Sequence, residues 1–191
     1  YENAIGSRRI SPANRSLVAD KKGDGRNLIC IAANVHEWMK KVLLINTNTE
    51  KHPYPVPPLG LCLLATSLEG RYDVKVFDGV FNEGKGIKEA VTAFDPDYIG
   101  FSIRNIDDVV NDREIYYVAE IMDKFINPVK SVSKSPVILG GSGFSIFPEE
   151  LMELTGADYG IAGEGEWAFG ELLDRLSSGA LPPVIPGLFI R

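Results

Sequence analysis

Cysteine and histidine are scarce in this sequence of 191 residues. The two cysteines, Cys30 and Cys62, stand far apart, which excludes a disulfide framework and the closely spaced cysteines of zinc or iron–sulfur sites. The two histidines, His36 and His52, have no further histidine or cysteine beside them, so no metal site made of protein side chains is expected. So few cysteines fit a reducing compartment, and we expect a cytoplasmic protein.

Long apolar runs and basic clusters are also missing. No stretch reaches the roughly 20 apolar residues that a transmembrane helix needs. The chain has 26 acidic and 20 basic residues, a formal net charge of −6, and no basic run longer than Arg8–Arg9 or Lys21–Lys22. Nucleic acids and anionic membranes attract clustered Lys and Arg, so neither is an expected partner. The hydrophobic content of 45% is enough for the core of a globular domain.

The first 38 residues differ from the rest of the chain. Residues 7–26 are polar and show no period, and Met39 directly precedes a strand-like run. Two interpretations stay open: residues 1–38 are an upstream extension, even a non-native one, or they are an arm that packs on the domain. The regular pattern predicts a domain over residues 39–180, and the apolar residues 181–191 predict the start of a linker to a further domain.

From Lys41 onward, short apolar runs alternate with helical patterns. Runs such as KVLLIN, which begins at Lys41, are typical of strands buried in a parallel sheet. The predicted strands cover residues 41–46, 72–77, 98–103, 136–139 and 159–162. The predicted helices cover residues 59–69, 86–94, 112–126, 148–154 and 167–176. This alternation predicts a three-layer, flavodoxin-like (Rossmann-like) α/β fold, a five-stranded parallel sheet of order 2-1-3-4-5 with helices on both faces.

The candidate site residues lie in the loops that follow the strands. In such a sheet, ligands bind outside the carboxyl ends of the strands, where the first and third strands separate. Glycine in these loops lets backbone N–H groups approach a ligand, although a sharp turn also explains each glycine cluster. The candidates are Asn46, Thr47, Asn48, Pro57, Pro58, Leu59, Gly60, Ser102, Ile103, Arg104, Asn105, Gly140, Gly141, Ser142, Gly143, Gly163, Glu164, Gly165 and Glu166.

Common nucleotide and hydrolase motifs are absent. The loop at Gly140 lacks G-x-G-x-x-G and follows the fourth strand, which argues against a dinucleotide site. The phosphate-binding motif G-x-x-x-x-G-K-[ST] does not occur either. Ser102 has no histidine and aspartate partners for a nucleophilic triad. The residues alone therefore indicate a large ligand without identifying it.

Several segments, in order, resemble the cobalamin-binding domains of radical S-adenosylmethionine (SAM) enzymes. Pro57–Leu61 (PPLGL) resembles the start of their first helix. Tyr98–Ser102 (YIGFS) and Val137–Gly141 (VILGG) resemble their third and fourth strands. Asp158–Glu166 (DYGIAGEGE) resembles their fifth strand with its loop, and Ile185–Leu188 (IPGL) resembles the linker into their radical domain. The likeness covers most of the chain.

The resemblance implies that the loops hold a cobalamin. Ser102 and the residues after it, with Gly140, Gly141 and the backbone of residues 163–166, would line a slot for the nucleotide tail. Residues 46–48 and the prolines that follow would face the corrin ring. The D-x-H-x-x-G motif, whose histidine replaces the lower cobalt ligand in several cobalamin proteins, is absent. Many radical SAM relatives also lack it, which implies binding with the base and histidine both off the cobalt.

The resemblance also implies that this chain alone is not catalytic. No C-x-x-x-C-x-x-C motif is present. SAM and the [4Fe–4S] cluster are therefore expected in a C-terminal radical SAM domain of the parent chain, a methyltransferase or related enzyme. Two alternatives stay open. The domain has lost the cofactor and serves in docking or substrate recognition, or it is a small domain that binds flavin or another nucleotide.

Overall fold

A six-stranded sheet forms the centre of the computed structural model, which describes residues 39–108 and 115–191. Its order is β2-β1-β3-β6-β7-β8, and a separate small hairpin pairs β4 with β5. The strands are β1 (Lys41–Asn46), β2 (Asp73–Asp78), β3 (Tyr98–Ser102), β4 (Asp107–Asp108), β5 (Ile115–Tyr116), β6 (Val137–Gly140), β7 (Tyr159–Ile161) and β8 (Leu188–Ile190). The predictions for residues 1–38 lie outside the described residues.

The parallel part of the sheet confirms the predicted order 2-1-3-4-5. Strands β2, β1, β3, β6 and β7 all pair in parallel. The sixth strand, β8, was not predicted: it pairs antiparallel with β7, within the segment interpreted as the start of a linker. Phe189 of β8 packs edge-on against Phe144, with 6.0 Å between the ring centroids. Within this segment, Leu188 and Phe189 therefore pack on the cores at the edge of the sheet.

Helices cover both faces of the sheet, as predicted. They are α1 (Leu59–Ser67), α2 (Gly79–Asn82), α3 (Ile87–Phe94), α4 (Tyr117–Ile121), α5 (Asn127–Val132), α6 (Pro148–Thr155) and α7 (Gly165–Ser177). On one face, Val42 and Leu44 pack with α1 and α7. On the other face, Leu43 and Ile45 pack with α3, α6 and the α4–α5 region. The alternation of side chains along β1 produces these two cores. No helix of the described residues is long and apolar enough to cross a membrane.

The helix predicted over residues 112–126 is confirmed as helical over residues 117–126 and is wrong at residues 115–116. Residues 115–116 form β5, and residues 112–114 lie outside the described residues. Beyond α4, the residues Met122–Ile126 form a π-helix, and α5 continues past Pro128. Proline has no N–H to donate, and Pro128 fits here because it occupies the first turn of α5. It directly follows the π-helical hydrogen bond from Asn127 N–H to the Met122 carbonyl oxygen. The prediction that the helix stops at residue 126 did not allow for a proline in this position.

A hydrogen-bonded cluster joins α7 to the strands at the amino edge of the sheet. The Tyr72 hydroxyl donates to Asp174 Oδ1 at 2.7 Å, and Arg71 Nη1 lies 2.7 Å from Asp174 Oδ2. The Ser177 hydroxyl lies 3.3 Å from the Tyr72 hydroxyl and 3.1 Å from the Tyr98 hydroxyl. Tyr72 is buried, and this burial raises the pKa of its phenol above the ordinary value of 10.0.

We expect Tyr72→Phe to lower the free energy of unfolding by about 1 kcal/mol near neutral pH, because it removes a hydrogen bond from a buried cluster. The raised pKa means that the folded state favours the neutral phenol, so unfolding releases a proton above about pH 10. Stability should therefore fall as the pH rises through this region, and the fall should be smaller in the variant. Urea titrations of both proteins between about pH 8 and 11 measure the difference. Parallel stability curves for the two proteins would contradict this account.

Candidate functional site

The carboxyl edge of the sheet carries two rows of residues that face α1 and α7. The outer row pairs Asn46 with Ser102 and Ser102 with Gly140. The inner row pairs Leu44 with Gly100 and Gly100 with Ile138, two residues further into the sheet. Because side chains alternate along a strand, both rows lie on the same face. The outer row is polar or lacks a side chain, and the inner row is apolar.

A cavity of about 310 Å³ lies between this face of the sheet and the helices α1 and α7. Its walls include the apolar inner row and, from the outer row, Ser102 and Gly140, and its mouth includes the loop that follows β7 and the start of α7. The lining residues are Leu44, Gly60, Leu61, Leu64, Gly100, Phe101, Ser102, Ile138, Leu139, Gly140, Gly141, Ile161, Gly163, Glu164, Gly165, Glu166 and Phe169. We call this space the tail cavity, after the slot that the resemblance implies.

Two strand glycines line the tail cavity. A Cβ atom added at Gly140 would meet only the Ile161 carbonyl oxygen, at 3.7 Å. A Cβ atom added at Gly100 would lie 2.9 Å from Leu44 Cδ2 and 3.2 Å from the Phe169 ring. A side chain at Gly140 would therefore enter space that now belongs to the cavity, whereas Gly100 makes room for the Leu44 and Phe169 side chains that form its wall. Gly100 was not a sequence candidate, although glycine inside an apolar strand is a signal for close approach of another group.

Other glycines of these loops are needed for packing within the chain. Gly141 has a φ of +99°, and a Cβ atom there would lie 2.5 Å from the Ile103 carbonyl oxygen. A Cβ atom at Gly143 would lie 2.8 Å from the Arg104 carbonyl oxygen, and one at Gly160 would meet the Phe144 ring. Gly140 thus leaves space beside the backbone free, whereas Gly143 and Gly160 admit neighbouring parts of the protein itself.

A second cavity of about 310 Å³ continues from the first above the loop that follows β1. The two share Gly60, Leu61, Ser102 and Gly141. Exposed Arg104 brings a positive charge to this space. Its lining residues are Asn46, Asn48, Val56, Pro57, Pro58, Leu59, Gly60, Leu61, Ser102, Arg104, Gly141 and Ser142. The two cavities together form one cleft along the carboxyl edge of the sheet.

Hydrogen bonds hold the first residues of the loop after β1 in place. Asn46 Nδ2 donates to Asp78 Oδ1 at 2.8 Å, and Asn46 Oδ1 accepts the N–H of Asn48 at 3.2 Å. The Thr47 hydroxyl donates to the Ser102 carbonyl oxygen at 2.9 Å. The side chains of Asn46, Thr47 and Asn48 are buried although they are polar, which such bonding allows. The floor of the second cavity is therefore preformed.

The next residues of this loop are tied to α4. The Thr49 hydroxyl donates to Glu120 Oε1 at 2.9 Å, and the Tyr117 hydroxyl donates to Glu50 Oε2 at 3.3 Å. The backbone N–H groups of His52 and Lys51 donate to Glu50 Oε1 and lower the pKa of that carboxyl. The exposed His52 lines neither cavity. Within residues 39–108 and 115–191, no cluster of three or more potential metal ligands occurs.

The structure brings most of the sequence candidates together along this cleft. Thr47, Ile103, Asn105 and Gly143 line neither cavity. Ile103 is 1% exposed and belongs to the core on the opposite face, and Asn105 lies beside Asn48, with its amide 3.5 Å from Asn48 Oδ1. Sequence reasoning missed the apolar wall, because apolar residues in strands and helices first indicate core. The missed lining residues are Leu44, Val56, Leu61, Leu64, Gly100, Phe101, Ile138, Leu139, Ile161 and Phe169.

The parallel sheet and its cleft define an α/β domain of the flavodoxin-like, cofactor-binding class. The chain belongs to the B12 binding domain family, whose sequence model matches residues 45–173. This match confirms the resemblance to cobalamin-binding domains. The chain is 32% identical over 156 residues to tryptophan 2-C-methyltransferase of Streptomyces laurentii, and 33% identical over 148 residues to an uncharacterized methyltransferase of Pyrococcus horikoshii. These matches cover 78% and 73% of this chain, and only 26% and 30% of the relatives.

Solved structures show the same relationship. TsrM of Kitasatospora setae, a radical S-adenosylmethionine methyltransferase solved with tryptophan and a SAM analogue, is 34% identical with a TM-score of 0.72. The superposition covers 79% of this chain and 28% of TsrM. The cobalamin-dependent SAM radical enzyme OxsB shares the fold, with 22% identity, a TM-score of 0.63, and coverage of 81% of this chain and 21% of OxsB. The chain thus spans about a quarter of the length of these relatives.

Proposed function

We propose that this domain binds a cobalamin along the cleft, with the nucleotide tail in the tail cavity and the corrin ring over the second cavity. The observation that carries the proposal is the open, apolar tail cavity, which joins the second cavity at the mouth. A cavity of about 310 Å³ is of the size that small ligands occupy in proteins. Gly140 adds no side chain to this space and the inner walls are apolar, so the residues present fit a planar group inserted between the sheet and the helices.

The domain's own residues would bind the two ends of the cofactor differently. The apolar walls of the tail cavity would bury the aromatic base, which the hydrophobic effect favours. At the mouth, α7 begins at Gly165 without a side-chain cap, so its first backbone N–H groups are available to a phosphate group. The preformed loop at residues 46–48 would support the ring from below. When bound, cobalamin supplies a cobalt ion that can carry a methyl group.

The same geometry supports binding with neither base nor histidine on the cobalt. A base inserted in the tail cavity is held away from the ring. His52 is exposed and lines neither cavity, and His36 lies outside the described residues. Asn46, near the proposed ring, already directs its amide to Asp78 and its carbonyl oxygen to Asn48. The Asn46 side chain would therefore support the ring without ligating the metal.

Electron paramagnetic resonance of the reduced cobalt(II) form bound to the chain tests this mode. We expect no superhyperfine splitting from an axial nitrogen, and the same spectrum for the His52→Ala variant. His36→Ala serves as the matched control for the second histidine. A nitrogen splitting that disappears in either histidine variant would contradict the His-off mode, and a splitting that survives both variants would show that the base stays on the cobalt.

We further propose that the domain is the cofactor-carrying part of a longer radical SAM enzyme, a methyltransferase or a related enzyme. Large apolar side chains stand exposed beside the cleft, which is typical of a surface that meets another protein domain. This apolar rim consists of Tyr54, Leu59, Ile146, Phe147 and Trp167. We expect the coding sequence beyond Arg191 to continue into a domain that contains C-x-x-x-C-x-x-C. A continuation without that motif would favour a docking module that has lost the cofactor.

A further inference from the structure

The inner part of the tail cavity is apolar, and its polar side chains lie at the mouth. Ser102 belongs to the outer row of the sheet, and the loop after β7 contributes Glu164 and Glu166. Further in, the row formed by Leu44, Gly100 and Ile138 lies below helices α1 and α7. The inner side chains that the structure describes are Leu44, Leu61, Leu64, Ile138, Ile161 and Phe169.

The backbone of the inner wall offers no free hydrogen-bonding partner in its central part. Strand β1 pairs with β2 and β3, and β3 pairs with β1 and β6. The N–H and C=O groups around Leu44 and Gly100 are therefore used within the sheet. Among the described residues, no buried side-chain nitrogen or oxygen lacks a hydrogen-bond partner. Nothing in this part of the cavity is left to recognise a polar edge of a base.

We infer that the domain selects among corrinoids by the base of their nucleotide tail, preferring a benzimidazole base and discriminating against a purine base. The inference rests on the proposed function, because it requires the base to enter the tail cavity. It goes beyond that function by naming the class of corrinoid and the residues that choose it. Leu64 of α1 and Ile138 of β6 are the central specificity-determining side chains, since they line the cavity from opposite sides.

The preference follows from the polar atoms that each base brings into the cavity. Dimethylbenzimidazole, the base of cobalamin, presents a methylated apolar ring and a single free ring nitrogen. Adenine presents an exocyclic amino group and several ring nitrogens. Each group that loses water without gaining a partner weakens binding, and an apolar wall supplies no partner. We expect the adenine-containing corrinoid to bind at least roughly tenfold more weakly than cobalamin.

Equilibrium binding of three corrinoids to the chain tests the inference. The ligands are cobalamin, its analogue with adenine as the base, and cobinamide, which has no base. The expected order of affinity is cobalamin, then the adenine analogue, then cobinamide. Equal affinity for cobalamin and the adenine analogue, with weaker cobinamide binding, would overturn the inference and leave the proposed function standing. Equal affinity for all three would show that the tail does not enter the cavity, and no binding of any would overturn the proposed function itself.

A matched pair of variants on α1 localises the selection. Leu64→Asn places an amide in the tail cavity, whereas Leu63→Asn changes an exposed side chain that lines neither cavity. We expect Leu64→Asn to reduce the preference for cobalamin over the adenine analogue severalfold, and Leu63→Asn to leave it unchanged. Circular dichroism checks that both variants fold. The same preference in both folded variants would contradict the role of the cavity wall. The comparison of ligands with the unaltered chain decides the inference even where Leu64→Asn does not fold.

Discussion

The Gly140→Val variant should lose most of its affinity for cobalamin while it keeps its fold. The added side chain meets only the Ile161 carbonyl oxygen, at 3.7 Å from Cβ, so the protein itself has room for it. The branch atoms would then occupy the tail cavity, where the base is proposed to lie. Overpacking of this kind costs about 1–3 kcal/mol, which corresponds to a weakening of roughly 5- to 150-fold.

Two further substitutions make the Gly140→Val result interpretable. Gly140→Ala should weaken binding less, because it adds one methyl group to the same wall. Gly60→Leu fills the cleft from α1, where a Cβ atom meets nothing within 4 Å, and removing a helical glycine should stabilise the fold by up to about 1 kcal/mol. If Gly60→Leu binds cobalamin more weakly and is also more stable, the loss of affinity comes from the filled cleft and not from a loss of folding. Unchanged affinity in Gly140→Val would mean that the tail lies elsewhere.

The Gly141→Ala variant should lower the free energy of unfolding by about 2–4 kcal/mol. Gly141 directly follows Gly140 in the chain, and the substitution adds only one methyl group. The residue has a φ of +99°, which L-amino acids rarely adopt, and its Cβ atom would lie 2.5 Å from the Ile103 carbonyl oxygen. Relief requires a shift of backbone, because the contact is with a carbonyl group and not with a flexible side chain.

Urea unfolding without ligand, with Gly140→Ala as the control, measures the contrast between the two neighbouring glycines. We expect the control to stay within about 1 kcal/mol of the unaltered chain, since it places a methyl group in open space and in an allowed conformation. Equal stability of Gly141→Ala and Gly140→Ala would contradict the distinction between a glycine that packs the protein and a glycine that keeps the cavity open.

The sequence was sufficient to predict the parallel sheet and its edge. The apolar runs at residues 41–46 and 98–102 can be recognised because buried parallel strands exclude polar residues on both faces. The rule that ligands bind at the carboxyl edge then placed Asn46, Ser102 and Gly140 at one edge of the sheet, where the register shows that they form one row. Strand β8 escaped prediction because three residues after a proline-rich segment give too short a pattern.

The cavity walls could not be predicted in the same way. In the sequence, Leu64 and Phe169 have the pattern of core residues. Whether a helix packs fully against a sheet or leaves a gap depends on the side chains that the sheet presents to the helix. At Gly100, a Cβ atom would come within 2.9 Å of Leu44, so the missing side chain leaves room for the Leu44 and Phe169 side chains of the wall. The roles of neighbouring glycines also depend on three-dimensional surroundings. Gly140 faces open space and Gly141 faces a carbonyl group, yet both follow the same strand pattern.

A titration of the chain with hydroxocobalamin tests directly whether the cleft binds a cobalamin. The visible absorption spectrum is followed during the titration, and the mixture is then passed over a desalting column to show whether corrin stays with the protein. We predict a spectral change that saturates near one corrin per chain, with the colour retained in the protein fraction. The absence of bound corrin at tens of micromolar ligand, with a chain shown to be folded, would contradict it.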